Sequence, residues 1–285
     1  MRTVLVLMFM LLYSLSPAQD GAIVAYNNPM SNREGQFFIT WGYNRAYYNK
    51  STIHFQGEHY DFTLHNARAE DIPESWDPGV YLNPLQFTVP QFNFRVGYYF
   101  NENTAISGGW DHMKYHLVPH QLVSISGDID DEYYFNPEYT GHFDHENIWY
   151  TPQFMDYHHS DGFNFIRIAL ERRVALWSSH NQKFMLSYNG TVSAGVMMPW
   201  TDFTFFGVNH RNKPHVAGYG FSGCSAVRFE FLEYLFLQLN MQLGWCDLRD
   251  IMLEDHLSSR AQQKITFFER DFSIGGYIPI FTKRK

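Results

Sequence analysis

Cysteine is nearly absent from the 285 residues, which contain only Cys224 and Cys246. Both fall on one face of what reads as a single hairpin, about one pair out of register. Diagonal neighbours in a sheet stand roughly 7–8 Å apart, at or beyond disulfide reach. Two unpaired small core residues are therefore expected, and a disulfide framework is excluded. Basic residues are scarcer than acidic ones, 21 against 29, for a net charge of −8. That balance argues against nucleic acid as a partner and suits a cell-surface protein. Long apolar runs are missing beyond the first residues, because charged or amide side chains interrupt every candidate. No transmembrane helix is expected, so any crossing of a membrane must be made by a closed barrel.

The opening residues set the compartment. Arg2 gives a short positive start, Val4 to Tyr13 form an apolar stretch, and Ser16-Pro17-Ala18 offers small residues to a signal peptidase. This pattern predicts a secretory signal over residues 1–18, with export through the Sec pathway. A periplasmic N-terminal segment over 19–33 and a barrel over 34–285 follow.

What the sequence holds in quantity is aromatic. Phe, Tyr and Trp make up 18%, yet the mean hydropathy is −0.33. Strands with one face toward lipid and the other toward a polar interior produce that combination. The cleanest passage is Val216 to Asp247. Tyr219, Phe221, Val227, Phe229 and Phe231 alternate with Ser222, Cys224, Ala226, Arg228 and Glu230, and a turn follows near Glu233. Leu235, Leu237, Leu239, Met241, Leu243 and Trp245 then alternate with Gln238, Asn240, Gln242 and Gly244. Period two held this long specifies strands, since a helix would scatter these residues around its circumference. The pattern recurs at Phe37–Asn44, Thr52–His65, Phe92–Phe100, Thr104–Tyr115, Gly162–Leu176, Phe184–Met198 and Ile265–Phe281.

Short links at Asn101–Asn103 and Ser178–Asn181 alternate with long polar ones at 67–85, 118–160, 199–214 and 248–260. Short turns belong to the periplasmic side of outer-membrane barrels and long loops to the outside. The predicted fold is all-β: a closed antiparallel transmembrane barrel of eight or ten strands. Nine strands are countable, and bacterial barrels of this kind are even. Either a strand lies in Leu122–Ile129 or near the mature N-terminus, or one of the first two is a loop excursion.

Ser273-Ile274-Gly275-Gly276-Tyr277-Ile278-Pro279-Ile280-Phe281 resembles the C-terminal insertion signal of outer-membrane proteins. It differs in placing Ile278 and Ile280 where aromatics are usual. The mature chain also resembles small outer-membrane barrel proteins of the Bacteroidetes. The likeness lies in Thr40–Arg45, Tyr60–Leu64, Asp111–Tyr115 and His159–Gly162, across most of residues 34–281. It implies an integral outer-membrane protein of a Gram-negative cell. Its partners would be outer-membrane lipids, lipopolysaccharide and, during insertion, the barrel-assembly machinery.

Three groups of residues are candidates for chemistry. Arg95, Arg167, Glu171, Arg228, Glu230, Glu269 and Asp271 fall on the inward face. In a barrel of this size they are expected to fill the lumen as ion pairs, or to line a narrow channel. Asp156, His158 and Ser160 share one strand face, in the order of acid, base and nucleophile. This stretch is similar to the His-x-Ser-Asn motif of outer-membrane lipid A deacylases, which implies His158 as base and Ser160 as nucleophile. Asp161 stands where that family has Asn, and Phe184–Met198 holds no glutamate to serve as the acid. Trp110 reads as an interfacial anchor, with His112 and Lys114 above the rim facing lipopolysaccharide phosphates. The 14 histidines form no zinc-binding spacing, so neither metal nor cofactor is expected. The acidic run Asp128–Glu132 lacks calcium-loop spacing and reads as solvated. A structural or ligand-binding role at the cell surface is expected, with lipid A acyl-ester hydrolysis and narrow conduction as alternatives.

Overall fold

The computed structural model describes residues 29–279, apart from 82, 84–85, 87–88 and 255–258. The expected signal peptide, residues 19–28 of the N-terminal segment, and Ile280 and Phe281 of the terminal motif lie outside the described residues.

Alternating side chains make extended backbone, and the extended segments come in two lengths. In chain order they are β1 (Gln36–Tyr48), β2 (Ser51–Gly57), β3 (Tyr60–Ala67), β4 (Ala69–Glu70) and β5 (Phe92–Tyr99). Next come β6 (Thr104–Leu117), β7 (Gln121–Ile129), β8 (Gly141–Tyr150), β9 (Met155–Ser178) and β10 (Phe184–Pro199). The last are β11 (Asp202–Phe205), β12 (Val208–Arg211), β13 (Gly218–Phe231), β14 (Leu235–Met252) and β15 (Arg260–Pro279). Antiparallel pairing runs β1-β5-β6-β9-β10-β13-β14-β15 and returns from β15 to β1. Eight strands therefore close a ring with no free edge.

Closure resolves the odd strand count. Thr52–His65 is a hairpin, β2 with β3, turning at Glu58 and His59 and standing outside the ring. Gln121–Ile129 is also a strand, and it too stands outside, between β3 and β8. Both prolong the sheet from the upper end of β15, where Gln262 pairs with His54. On the opposite side of the mouth, β11 extends the sheet from the start of β9, pairing Asp202 with His158. Of the regions read as polar loops, 67–85 is not mostly sheet, whereas 118–160 and 199–214 thus are. Their periodicity is masked because they carry charge and imidazole on the solvent face. The other end of the ring has only short links, such as Leu232–Tyr234, where Leu232 and Glu233 take positive φ of 54° and 68°. That end is the periplasmic one by the rule for such barrels.

The two cysteines stand further apart than expected. Cys224 pairs with Gln242 and Cys246 with Gly220, four residues away along β13, and both are free thiols.

The ring has two walls of opposite character. Outward residues such as Ile168, Leu239, Met241, Phe272, Ile274 and Ile278 leave about half or more of their surface exposed. Their inward neighbours Asn240, Gln242, Asp271 and Ser273 are buried. An apolar exterior over a polar interior inverts the arrangement of a soluble protein and matches a barrel immersed in lipid. Above the polar lumen an apolar core takes over. Phe163, Phe165 and Phe267 begin it, and Phe55, Phe62, Phe154, Phe203 and Phe205 continue it into the extracellular sheet. Phe55 stacks on Phe62 at 5.1 Å and on Phe203 at 5.9 Å, which ties the two extensions across the mouth.

Ile274 stands five residues above the periplasmic end of β15 at Pro279. At about 3.3 Å per residue and a tilt near 40° this is the middle of a band about 25 Å tall. Ile274→Lys is expected to cost about 2–4 kcal/mol, read from the denaturant midpoint of the barrel in lipid vesicles. A loss near zero would show that this face is not in hydrocarbon.

Candidate functional site

Three regions hold the candidate chemistry: the lumen, the upper part of β9, and the surface of the extracellular sheet. In the lumen, period-two alternation delivers charges from many strands to one axis. Nearest the periplasm, Glu230 Oε2 accepts from Arg33 Nη2 at 2.6 Å. Its Oε1 accepts from Arg173 Nε and from Ser187 Oγ, each at 2.7 Å. Arg173 also donates to the backbone carbonyls of Met30 and Ser31, so the described start of the chain is held in the barrel mouth. One layer higher, Glu171 Oε1 accepts from Arg228 Nη2 and Tyr99 at 2.9 Å. The Arg228 guanidinium lies 4.2 Å from the centroid of the Phe236 ring.

The third layer centres on Asp111. It accepts from Arg167 Nε at 2.7 Å, Arg95 Nη2 at 3.1 Å, Asn93 at 2.9 Å and Gln242 at 3.0 Å. Arg95, Arg167, Glu171, Arg228 and Glu230 are thus distributed over three layers; Glu230 takes two arginines, Arg33 and Arg173, and Asp111 takes two, Arg95 and Arg167. The sequence reading missed Asp111, Arg173 and Arg33 as members. Parity could have found two of them: Asp111 alternates with Trp110 and His112, and Arg173 keeps the phase of Arg167 and Glu171.

On the upper part of β9, Asp156, His158 and Ser160 share the half-buried outward face while Tyr157 and His159 turn inward. Asp156 Oδ1 lies 3.0 Å from His116 Nε2, and its Oδ2 lies 3.7 Å from His158 Nε2. One carboxylate thus stands between two imidazoles, and the bond from His116 holds its carboxyl below the usual range. Burial lowers the pKa of His158, whose Nδ1 has no hydrogen-bond partner. Among the described residues no hydrogen bond joins Ser160 to His158, so acid and base meet but base and nucleophile do not. Gly162 explains the spacing: it takes φ +141° where β9 carries two extra residues opposite Met113–Tyr115. A Cβ there would stand 2.4 Å from Asn164 and 2.9 Å from His112.

Trp110, His112 and Lys114 keep the expected outward phase but not the expected exposure. His112 and Lys114 are buried. His112 stacks on Phe92 at 5.0 Å and shares Asn164 Oδ1 with Trp110 Nε1, each at 2.8 Å. Lys114 Nζ donates to Glu74 at 2.6 Å. The cause is the segment before β5, which crosses the outer wall here; Tyr43 donates its hydroxyl proton to the carbonyl of Tyr81. No periodic sign of that crossing is present in residues 67–85.

On the extracellular surface a cleft of about 570 Å³ opens between the β2–β3 turn and the far ends of β7 and β8. Glu58, Asp61, Asp128, Asp130 and Asp131 line it. Three of these carboxylates meet imidazoles: Asp61 with His54 at 2.7 Å, Asp128 with His142 at 2.8 Å and Asp130 with His59 at 3.1 Å. No cluster of three or more metal-ligating side chains fit to hold an ion occurs among the described residues.

No family model matches the chain, and no curated protein does. Among solved structures it is similar to outer membrane protein OprG from Pseudomonas aeruginosa. The two are 10% identical over 87% of this chain and 98% of that one, with a TM-score of 0.36. It is similar to outer membrane protein AlkL in lipid bilayers at 10% identity, covering 89% and 95%, with a TM-score of 0.39. Ail, the attachment invasion locus protein of Yersinia pestis, matches at 11% over 86% and 99%, with a TM-score of 0.33. The class itself follows from the closed ring and its apolar exterior: a transmembrane β-barrel with the fold of outer-membrane proteins.

Two outcomes test these sites. Glu230→Ala strands two buried guanidinium groups and is expected to cost about 3–5 kcal/mol, read from the urea midpoint in vesicles. A loss under about 1 kcal/mol would show that Arg33 and Arg173 do not depend on it. His159 is buried above the bilayer-facing band, and burial pushes its pKa down to about 3 from 6.5. The unfolded chain then binds the extra proton, so stability is full above about pH 6.5 and falls as pH drops toward about 3. His159→Phe is expected to flatten that part of the stability–pH curve. Identical slopes in the two proteins would refute the buried neutral imidazole.

Proposed function

We propose that the protein is a cell-surface binding barrel of a Gram-negative outer membrane, exported through the Sec pathway and inserted by the barrel-assembly machinery. Its ring serves as anchor, and its extracellular sheet presents the working surface. The observation that carries this reading is the filled lumen. Charge layers at Glu230, Glu171 and Asp111 occupy the axis, and an apolar core closes the extracellular end above them. A conducting path needs a continuous polar route, and an eight-stranded ring is only wide enough for its own side chains.

Function therefore belongs on the outside. The folded extension supplies a concave acidic cleft there, whose sign favours cationic over anionic ligands. The hydrolase alternative is less well supported, because Ser160 lacks a bond to its base. Reconstituted into planar bilayers, the protein is expected to show no discrete conductance steps at neutral pH. A reproducible single-channel current from the folded barrel would sink the anchored-binder reading.

A further inference from the structure

The outer wall carries one anomaly. Along the outward face of β15 the residues read Phe268, Arg270, Phe272, Ile274, with Arg270 exposed among them. Its cross-strand partner on β1 is Arg45, which shares the outward phase with Trp41, Tyr43 and Tyr47. Directly opposite residues have Cβ atoms about 4.5–5.5 Å apart, and like charges so placed repel. Neither arginine forms an ion pair among the described residues. Arg45 spends its donors on the Asn44 carbonyl at 2.7 Å and the Tyr81 hydroxyl at 3.3 Å. Asp71, which feels the charge of Arg45 without forming an ion pair with it, accepts from the backbone N–H of Ala46 at 3.2 Å and from Gln91. Arg270 has one partner, the face of the Tyr47 ring, 5.6 Å from its guanidinium carbon.

The depth of the pair says what it meets. Pro279 pairs with Gln36 at the periplasmic end of this seam, and Arg270 with Arg45 nine residues higher. At about 3.3 Å per residue and a tilt near 40°, the pair lies about 23 Å up, at the outer edge of a band about 25 Å tall. Lipid headgroups lie at that level. Tyr47 and Phe268, with ring centroids 6.2 Å apart, flank the pair, as aromatic residues do at a membrane interface.

We propose that Arg45 and Arg270 form a binding site for the phosphate of an outer-leaflet lipid on the β1–β15 seam. Guanidinium groups bind phosphate through paired N–H donors, and one phosphate between the two arginines turns their repulsion into a bridge. The site rests on the bilayer-facing reading of the outer wall, not on the binding role of the extracellular sheet. It is also distinct from the buried His112 and Lys114.

The test uses the folded full-length barrel in neutral maltoside micelles, with native mass spectrometry to count retained lipid. The probes are bisphosphorylated lipid A, its dephosphorylated form and inorganic phosphate. The wild type is expected to retain bisphosphorylated lipid A at least tenfold better than the dephosphorylated form. Arg45→Gln with Arg270→Gln is expected to lose that preference. Arg172→Gln, which removes an outward arginine whose cross-strand neighbours are Thr104 and Gly190, is expected to keep it. Heat-modifiable migration on gels establishes that each variant is folded, and Arg270→Gln alone replaces the double variant if that one does not fold. Equal retention by wild type and double variant overturns the site. So does an equal loss in Arg172→Gln, which would make the effect general to surface charge. Displacement of the lipid by millimolar inorganic phosphate would identify free phosphate, not a membrane lipid, as the ligand.

Discussion

A charge taken out of bulk solvent has to meet its partner inside the ring, and this constraint organises the barrel. Three carboxylates, Glu230, Glu171 and Asp111, each gather guanidinium and neutral donors from several strands. Desolvation makes each member costly alone and tolerable only in the complete set. The same requirement fixes strand register, because a slip of one residue would turn each lumen arginine on that strand outward into lipid. It also fills the lumen with paired side chains, and the extracellular sheet is the part that differs from a bare anchor.

The extension is built on a different principle. Its interior is aromatic, held by ring contacts such as Phe154 with Tyr139 at 4.7 Å and Tyr60 with Phe205 at 4.9 Å. Apart from the buried His159, its imidazoles and carboxylates named above lie on the solvent face. β9 joins the two regimes: one strand of 24 residues passes from lipid-facing wall to extracellular sheet. The passage is made at Gly162, whose backbone conformation lets the strand absorb two residues without reversing its faces.

Much of this was legible in the sequence where alternation is strict. β13 and β14 carry the apolar and polar faces that Phe221–Phe231 and Leu235–Trp245 announce, because lipid on one side and a charged lumen on the other leave no mixed positions. The upper sheet was legible only in fragments. Gln121–Ile129 mixes Leu, Val and Ile with Ser and Asp because one of its faces meets water, so its contrast is weak. The phase of His112 and Lys114 was readable and their burial was not, since the chain that covers them comes from residues 71–81 with no periodic signature. For Asp156, His158 and Ser160 the shared face followed from spacing. The choice of His116 as the partner of Asp156 depended on which strand stands beside β9, which spacing along one strand cannot specify.

The lumen network also bears on how the chain reaches its final form. Arg33 and Glu230 are 197 residues apart, Asn93 and Glu269 176, and Gln242 and Asp111 131. Loop closure over such spans is costly in entropy, and the contacts that repay it are non-local. Neighbouring strands can pair Arg95 and Arg167 with Asp111 early, but Arg33 with Glu230 and Asn93 with Glu269 meet only when the two ends of the ring come together. The seam between the first and last ring strands is thus where the interior is finished: neighbouring strands begin the network, and completing the circumference supplies its longest-range members.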